Sequence, residues 1–162
     1  MEVKNSKAMK CLRAFHILTS SVWFGGVVAI GALAWICFFR LEEATFLTVA
    51  PLVPELFPTV IAPAALLTIA QGIFYSFFTG WGFLKHRWVI LKWIGTFLLL
   101  LLTGMGTIGQ MFSTIQKVET NGFTGGLADG GMVLLFIAMQ ILIMGIMICV
   151  SVFKSFGKKA KV

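Results

Sequence analysis

The side chains best suited to chemistry lie in the first apolar stretch of the sequence, which runs from Ala14 to Phe39 without a formal charge. Offsets of three, four and seven residues return to one side of a helix, so one face carries His16, Thr19, Ser20 and Trp23. An imidazole binds metals and exchanges protons near neutral pH, and an ionisable group inside a bilayer is costly. We therefore take His16 as the first candidate for a functional residue and for a metal ligand.

Polar residues also mark one face of each later apolar stretch. These pairs are Gln71 and Tyr75 in the second stretch, Lys92 and Thr96 in the third, and Met147 and Ser151 in the fourth. If the stretches form a bundle, each pair falls at about the same depth as His16. This predicts a polar pocket between the helices, where bundles commonly hold cofactors.

The composition identifies the elements that must position these residues. With 59% hydrophobic and 12% charged residues and a mean hydropathy of +0.97, the chain is an integral membrane protein rather than a soluble one. A helix of about 20 apolar residues crosses a hydrocarbon core of roughly 30 Å. We predict an all-α, polytopic membrane protein, an antiparallel bundle of four transmembrane helices. Residues 1–162 form a single membrane domain with spans at about 14–39, 56–80, 88–112 and 130–153.

The segments between the spans have signals of their own. Pro51 and Pro54 interrupt the apolar run 45–53, so we expect a short segment at the membrane interface there. Gly80-Trp81-Gly82 predicts a break after the second span, and Pro63 predicts a kink within it. Residues 113–129 are polar and glycine-rich, which indicates a loop.

The charges predict the orientation of the chain in the membrane. Four crossings place both termini on one side, and that side has a net charge of +10 against −3 on the other, which together give +7. Basic residues gather on the cytoplasmic side of membrane proteins. We therefore predict cytoplasmic termini in a multi-pass protein of the cytoplasmic membrane. Topology and anionic lipid account for the basic residues, and nucleic acid is not an expected partner.

Haem b is the cofactor that this pattern favours. A flat macrocycle held by an axial histidine suits an apolar helical bundle, and His16 is the candidate ligand. The surrounding pocket would draw on Trp23, Gln71, Tyr75, Lys92 and Thr96. The sequence shows no cluster of three or four ligands of the kind that zinc or copper requires. The second histidine, His86, lies near the headgroups, and the three cysteines are expected to be free thiols.

Two segments resemble a known group of membrane proteins. Leu12 to Gly26 (LRAFHILTSSVWFGG) is similar to the opening helix of CopD-like and HemJ-like proteins, and Trp88 to Lys92 (WVILK) is similar to their tryptophan-x-x-x-lysine entry into a later helix. The resemblance implies a four-helix membrane protein, with His16 as haem ligand and Lys92 in the pocket. The Arg-x-x-Asn-Glu segment of HemJ-like proteins has no counterpart here, so enzyme activity stays open.

These observations favour a b-type haem or porphyrin-binding membrane protein acting in electron transfer, haem handling or porphyrin redox chemistry. An enzyme of this kind would be an oxidoreductase of the protoporphyrinogen oxidase type. Expected partners are the lipid bilayer and a porphyrin or quinone-like small molecule, and a homo-oligomer remains open. One alternative is a CopD-like copper or small-solute transport component, suggested by the methionines of the fourth span. The other is a cofactor-free membrane assembly subunit.

Overall fold

The apolar stretches form four long helical segments that pack as a bundle. The computed structural model describes residues 7–78, 86–126 and 130–153. Each segment is long and apolar enough to cross a membrane: Lys7–Arg40, Glu43–Phe77, Arg87–Asn121 and Gly130–Phe153. This confirms the prediction of an all-α chain with four apolar spans.

The second and third segments are each built from several helices. In chain order the helices are α1 (Lys7–Arg40), α2 (Glu43–Val49), α3 (Leu52–Leu56), α4 (Ala62–Phe78), α5 (Arg87–Leu101), α6 (Gly109–Asn121), α7 (Phe123–Gly126) and α8 (Gly130–Phe153). Two π-helical segments complete them. We call these π1 (Phe57–Ile61), which joins α3 to α4, and π2 (Leu102–Ile108), which joins α5 to α6.

Helix α1 lies at the centre of the packing, against both α4 and α8. Its buried residues recur every three or four positions, so they form one stripe along the helix: Thr19, Trp23, Val27, Ile30, Ala34 and Cys37. Large apolar side chains cover its outer surface, as at Ile17 and Trp35, which are 65% and 54% exposed. In a bilayer these exposed side chains contact lipid, and the inner stripe fixes the neighbours of α1.

The predicted interfacial segment 45–53 covers α2 and the start of α3, which a turn at residues 50–51 separates. Helix α3 continues through π1 into α4, and the candidate span that includes all of them runs from Glu43 to Phe77. In π1 the Ala62 N–H donates to the carbonyl of Phe57, five residues earlier. Pro63 has no N–H to donate to the carbonyl four residues before it, and the wider turn accommodates that loss. At Pro63, where the sequence predicts a kink, the helix is thus preceded by a local widening.

The prediction of a loop over residues 113–129 is wrong for its first half, because α6 continues to Asn121. Its buried residues have helical spacing and form a narrow apolar stripe in a polar sequence: Met111, Thr114, Ile115 and Val118. That stripe packs against α2, α3 and α8. The helix ends where Gly122 adopts a φ of 76°, a conformation that favours glycine. The predicted break at Gly80-Trp81-Gly82 lies outside the described residues.

The two ends of the bundle are packed differently. At the end that contains α6, the second and third spans meet through α2 and α3. At the other end, α4 packs on α1 and α5 packs on α8, and within the described ranges α4 and α5 share no extended packing surface. We call the side of the bundle between α4 and α5, where the described residues of the two helices do not pack on each other, the open side. The polar residues singled out in the sequence lie at this open end.

Candidate functional site

His16 is a half-buried residue on the α1 face that points toward α4. Its backbone carbonyl accepts hydrogen bonds from the hydroxyls of Thr19 at 3.2 Å and Ser20 at 2.6 Å. The imidazole ring itself takes no part in these two hydrogen bonds. Its Nδ1 atom is buried and has no hydrogen-bonding partner in the part of the chain that the structure describes. The imidazole is therefore available to a ligand or a metal.

A small polar network joins α1 to α4 beside His16. The hydroxyl of Thr68 lies 3.0 Å from Oγ1 of Thr19 and 2.8 Å from the carbonyl of Ala64, and its single proton serves one of them at a time. Gln71 Nε2 donates to Thr19 Oγ1 at 3.2 Å and to the Leu67 carbonyl at 3.0 Å. The network places polar groups of two spans in direct contact.

The orientation of the Gln71 amide follows from its neighbours. The Leu67 carbonyl can only accept a hydrogen bond, so the amide nitrogen must face it and the amide oxygen must point away. That oxygen, Oε1, is buried and has no partner among the described residues, although Gln71 is only 6% exposed. Among the described residues, the two atoms His16 Nδ1 and Gln71 Oε1 thus lack partners, and both belong to residues that share a hydrogen bond with Thr19.

Tyr75 forms the aromatic side of this pocket. Its ring meets the His16 ring edge-on, with the centroids 5.8 Å apart and the planes at 88°. Such edge-to-face contacts are a favoured aromatic geometry. Arg13, one turn before His16, is close enough to act electrostatically on Tyr75. A cation and a phenol thus lie near each other on this side of the pocket.

Lys92 adds a second cation from α5. It is half-buried, and it interacts electrostatically with His16. We call the pocket formed by His16, Thr19, Gln71, Tyr75 and Lys92 the His16 pocket. Its walls come from α1, α4 and α5, and the open side of the bundle lies between the last two.

Two predicted pocket residues lie elsewhere. Trp23 is only 5% exposed and belongs to the apolar core that continues from the pocket. Thr96 is half-buried one turn beyond Lys92, and no hydrogen bond within the described residues links it to the His16 pocket. Thr68 was not among the predicted binding residues, although its place on the α4 face with Gln71 and Tyr75 is visible in the sequence.

A second polar network joins the third and fourth spans, and within the described residues each group of the Gln140 amide has a partner. Oε1 of Gln140 lies 2.8 Å from the Thr103 hydroxyl, whose single proton is shared with the Leu99 carbonyl, also at 2.8 Å. Nε2 of Gln140 donates to Thr107 Oγ1 at 2.6 Å and to the Phe136 carbonyl at 3.3 Å. Gln140 is 1% exposed. Both threonines belong to π2, so the network attaches π2 to α8. The sequence did not predict this pairing.

The remaining candidates do not converge on one site. His86 precedes α5, where its ring stacks on Trp88 with the centroids 6.0 Å apart. Met144 is buried and Met147 packs over Gly95, whereas Met132 and Met139 are 49% and 38% exposed, so the α8 methionines do not line one path. Cys11, Cys37 and Cys149 are free thiols. Across the described ranges, no group of three or more His, Cys, Asp or Glu residues is placed to hold a metal.

Comparison of the chain with protein families, with curated proteins and with solved structures finds no match.

Proposed function

We propose that this protein is a b-type haem or porphyrin-binding protein of the cytoplasmic membrane, acting in electron transfer, haem handling or porphyrin redox chemistry. The observation that carries the proposal is the half-buried imidazole of His16, whose Nδ1 atom has no hydrogen-bonding partner in the described part of the chain. An unpaired polar atom inside an apolar bundle is costly. Axial ligation of an iron porphyrin is a role that gives such an imidazole a partner.

The residues around His16 suit the other parts of a haem. Lys92 and Arg13 are cations that would pair with the propionate carboxylates, because charge-assisted hydrogen bonds to carboxylates are strong. Tyr75 offers an aromatic surface beside the axial ligand. When bound, haem iron supplies one-electron chemistry, with a potential set by its ligand and by the polarity of the pocket.

Orientation and activity belong to the same proposal. Both termini lie on the cytoplasmic side and the spans alternate in direction, as the charge distribution favours. The His16 pocket would then open into the inner half of the bilayer. If the protein is an enzyme, the resemblance of residues 12–26 and 88–92 supports an oxidoreductase of the protoporphyrinogen oxidase type.

An absorption spectrum of the purified protein tests the proposal. We expect a Soret band after expression with ample haem, and an α band at longer wavelength after reduction with dithionite. His16→Ala removes both bands because it removes the axial ligand. His86→Ala is the matched control: it deletes the other histidine, which stacks on Trp88 away from the pocket residues, and should leave the spectrum unchanged.

A colourless wild-type protein would contradict the proposal, as would a Soret band that survives His16→Ala. The cofactor-free alternative is favoured by one observation, the fully paired Gln140 network, since it shows that polar groups in this bundle can serve helix packing alone. A colourless chain that co-purifies with a stable membrane partner would support that alternative.

A further inference from the structure

Two buried glutamines in this bundle, Gln71 and Gln140, differ in how completely their amide groups are hydrogen-bonded. Gln140 uses its amide oxygen and both amide hydrogens, all on side chains or carbonyls of its own pair of spans. Gln71 uses both amide hydrogens, but its Oε1 atom is buried without a partner among the described residues. A buried carbonyl oxygen without a hydrogen bond costs free energy that a donor would recover. Gln71 Oε1 is therefore a buried acceptor that lacks a donor among the described residues.

The surroundings define what that donor must be. His16 Nδ1 is a second buried atom without a partner among the described residues. The Thr19 hydroxyl donates to the backbone carbonyl of His16 and accepts from Gln71 Nε2, in both cases at 3.2 Å. A hydroxyl group can donate its proton to Gln71 Oε1 and accept a hydrogen bond from an Nδ1–H. A carbonyl or an ether oxygen can only accept. His16 supplies the Nδ1–H donor when the proton of its neutral imidazole is on Nδ1.

The open side between α4 and α5 defines how the ligand arrives. Both helices are apolar spans, so a molecule that enters between them comes from the lipid phase. The rings of Tyr75 and His16 meet edge-to-face with their centroids 5.8 Å apart, so the pocket contains aromatic surface of the kind against which a flat ring packs. We propose that the His16 pocket binds a membrane-soluble hydroxyaromatic molecule of the quinol type, whose hydroxyl donates to Gln71 Oε1. The inference uses the same pocket as the proposed function but does not depend on bound iron.

A matched pair of ligands tests this directly. Duroquinol carries two hydroxyls on a small methylated ring, and its dimethyl ether has the same ring without a hydroxyl proton. The ether oxygen can still accept from His16 Nδ1, so a difference in affinity reports the lost donation together with the added methyl groups, and the Gln71→Met variant separates these two effects. We expect duroquinol to bind about tenfold more tightly, since the ether leaves the buried acceptor unpaired. Isothermal titration calorimetry in lipid nanodiscs, without oxygen and with empty nanodiscs subtracted, measures both affinities.

Variants assign the preference to one atom. Gln71→Met keeps the length of the side chain and removes Oε1, so the preference for duroquinol over its ether should disappear. Gln140→Met makes the same chemical change at the fully paired glutamine and should keep the preference. The comparison of two ligands on the wild-type chain remains informative even if a variant fails to fold.

Equal affinity for the two ligands would overturn the inference. So would the absence of saturable binding above empty nanodiscs, which would leave a water molecule as the occupant of the pocket. These outcomes are separate from the haem test. A colourless protein that prefers duroquinol retains the inference and loses the proposed function, and a pigmented protein without the preference does the opposite.

Discussion

At the scale of single residues, a buried amide in this bundle has one of two roles. Gln140 is held between Thr103 and Thr107, and every hydrogen-bonding group of its amide has a partner. Gln71 is equally hidden but keeps one oxygen unpaired among the described residues. The hydrogen bonds of Gln140 stabilise the fold, whereas Gln71 Oε1 can still accept a hydrogen bond. The difference lies in the neighbouring helix, since the two side chains are chemically identical.

Replacement of Gln140 by leucine should therefore destabilise the protein more than the same change at Gln71. Hydrogen bonds between membrane helices contribute about 0.6 kcal/mol on average and about 1.7 at most, so we expect Gln140→Leu to cost about 1 to 2 kcal/mol. Gln71→Leu should cost less, because it also removes an unpaired buried oxygen. Unfolding of the two variants in mixed micelles with increasing sodium dodecyl sulfate measures the difference. A larger loss for Gln71→Leu would contradict this account.

The sequence predicts some features of these contacts and not others. Helical periodicity places His16, Thr19 and Trp23 on one face, and Thr68, Gln71 and Tyr75 on another. It also indicates that the polar ends of the spans lie at similar depth. It does not give the rotation of one helix against the next, which decides whether Gln71 meets Thr19 or another residue. The pairing of Gln140 with two residues of π2 was invisible for the same reason.

At the scale of elements, Gly106 determines how closely π2 packs against α8. A side chain at Gly106 would approach Phe136 of α8, since an added Cβ would lie 2.8 Å from the Cγ and Cδ1 atoms of the ring. Gly104 lies in the same π-helical segment, and a Cβ added there meets nothing within 4 Å. Close approach of backbone and side chain is a common use of glycine between membrane helices. Gly106 thus allows π2 to lie against α8.

These two glycines give a matched test of the contact. Gly106→Ala forces the Phe136 ring to move, and we expect a loss of about 1 to 3 kcal/mol in unfolding free energy, as for other overpacked sites. Gly104→Ala should be neutral or slightly stabilising, because alanine restricts the unfolded chain and meets no neighbour. Denaturant titration of each variant checks this, and Phe136→Ala in the Gly106→Ala background should recover part of the loss. Equal effects at both glycines would rule out the contact as the cause.

Composition predicts the apolar spans well and the more polar helices poorly. The four spans follow from long apolar runs, and the structure has them. Helix α6 was missed because its polar residues outweigh the four buried positions that pack it against α2, α3 and α8. The prolines predicted an interruption of the apolar run 45–53, and a turn at residues 50–51 separates α2 from α3. Beyond that turn, a π-helical segment lets the helix continue past Pro63.

At the scale of the whole molecule, the charges predict which end faces the cytoplasm. Cys11 lies at the end of the bundle that carries the His16 pocket, and Asn121 lies at the opposite end; both are exposed. In right-side-out vesicles, a membrane-impermeant maleimide should label Asn121→Cys and not Cys11, because the basic end stays inside. Each thiol is tested alone, with every other cysteine replaced by alanine.

Permeabilised vesicles serve as the control, since both thiols must then react. Labelling of Cys11 in sealed vesicles would reverse the orientation, and would place the His16 pocket in the outer leaflet instead.

The two polar networks divide the chain into halves. Thr19, Thr68 and Gln71 connect the first two spans, whereas Thr103, Thr107 and Gln140 connect the last two. Each pair of spans therefore contains the partners that its own polar side chains need. During synthesis, the first pair can leave the translocon and satisfy its hydrogen bonds before the second pair has been translated. Assembly then requires the docking of the two pairs, along α1 and α8 and where α6 meets α2 and α3. Because α4 belongs to the first pair and Lys92 of α5 to the second, the His16 pocket is complete only after this docking.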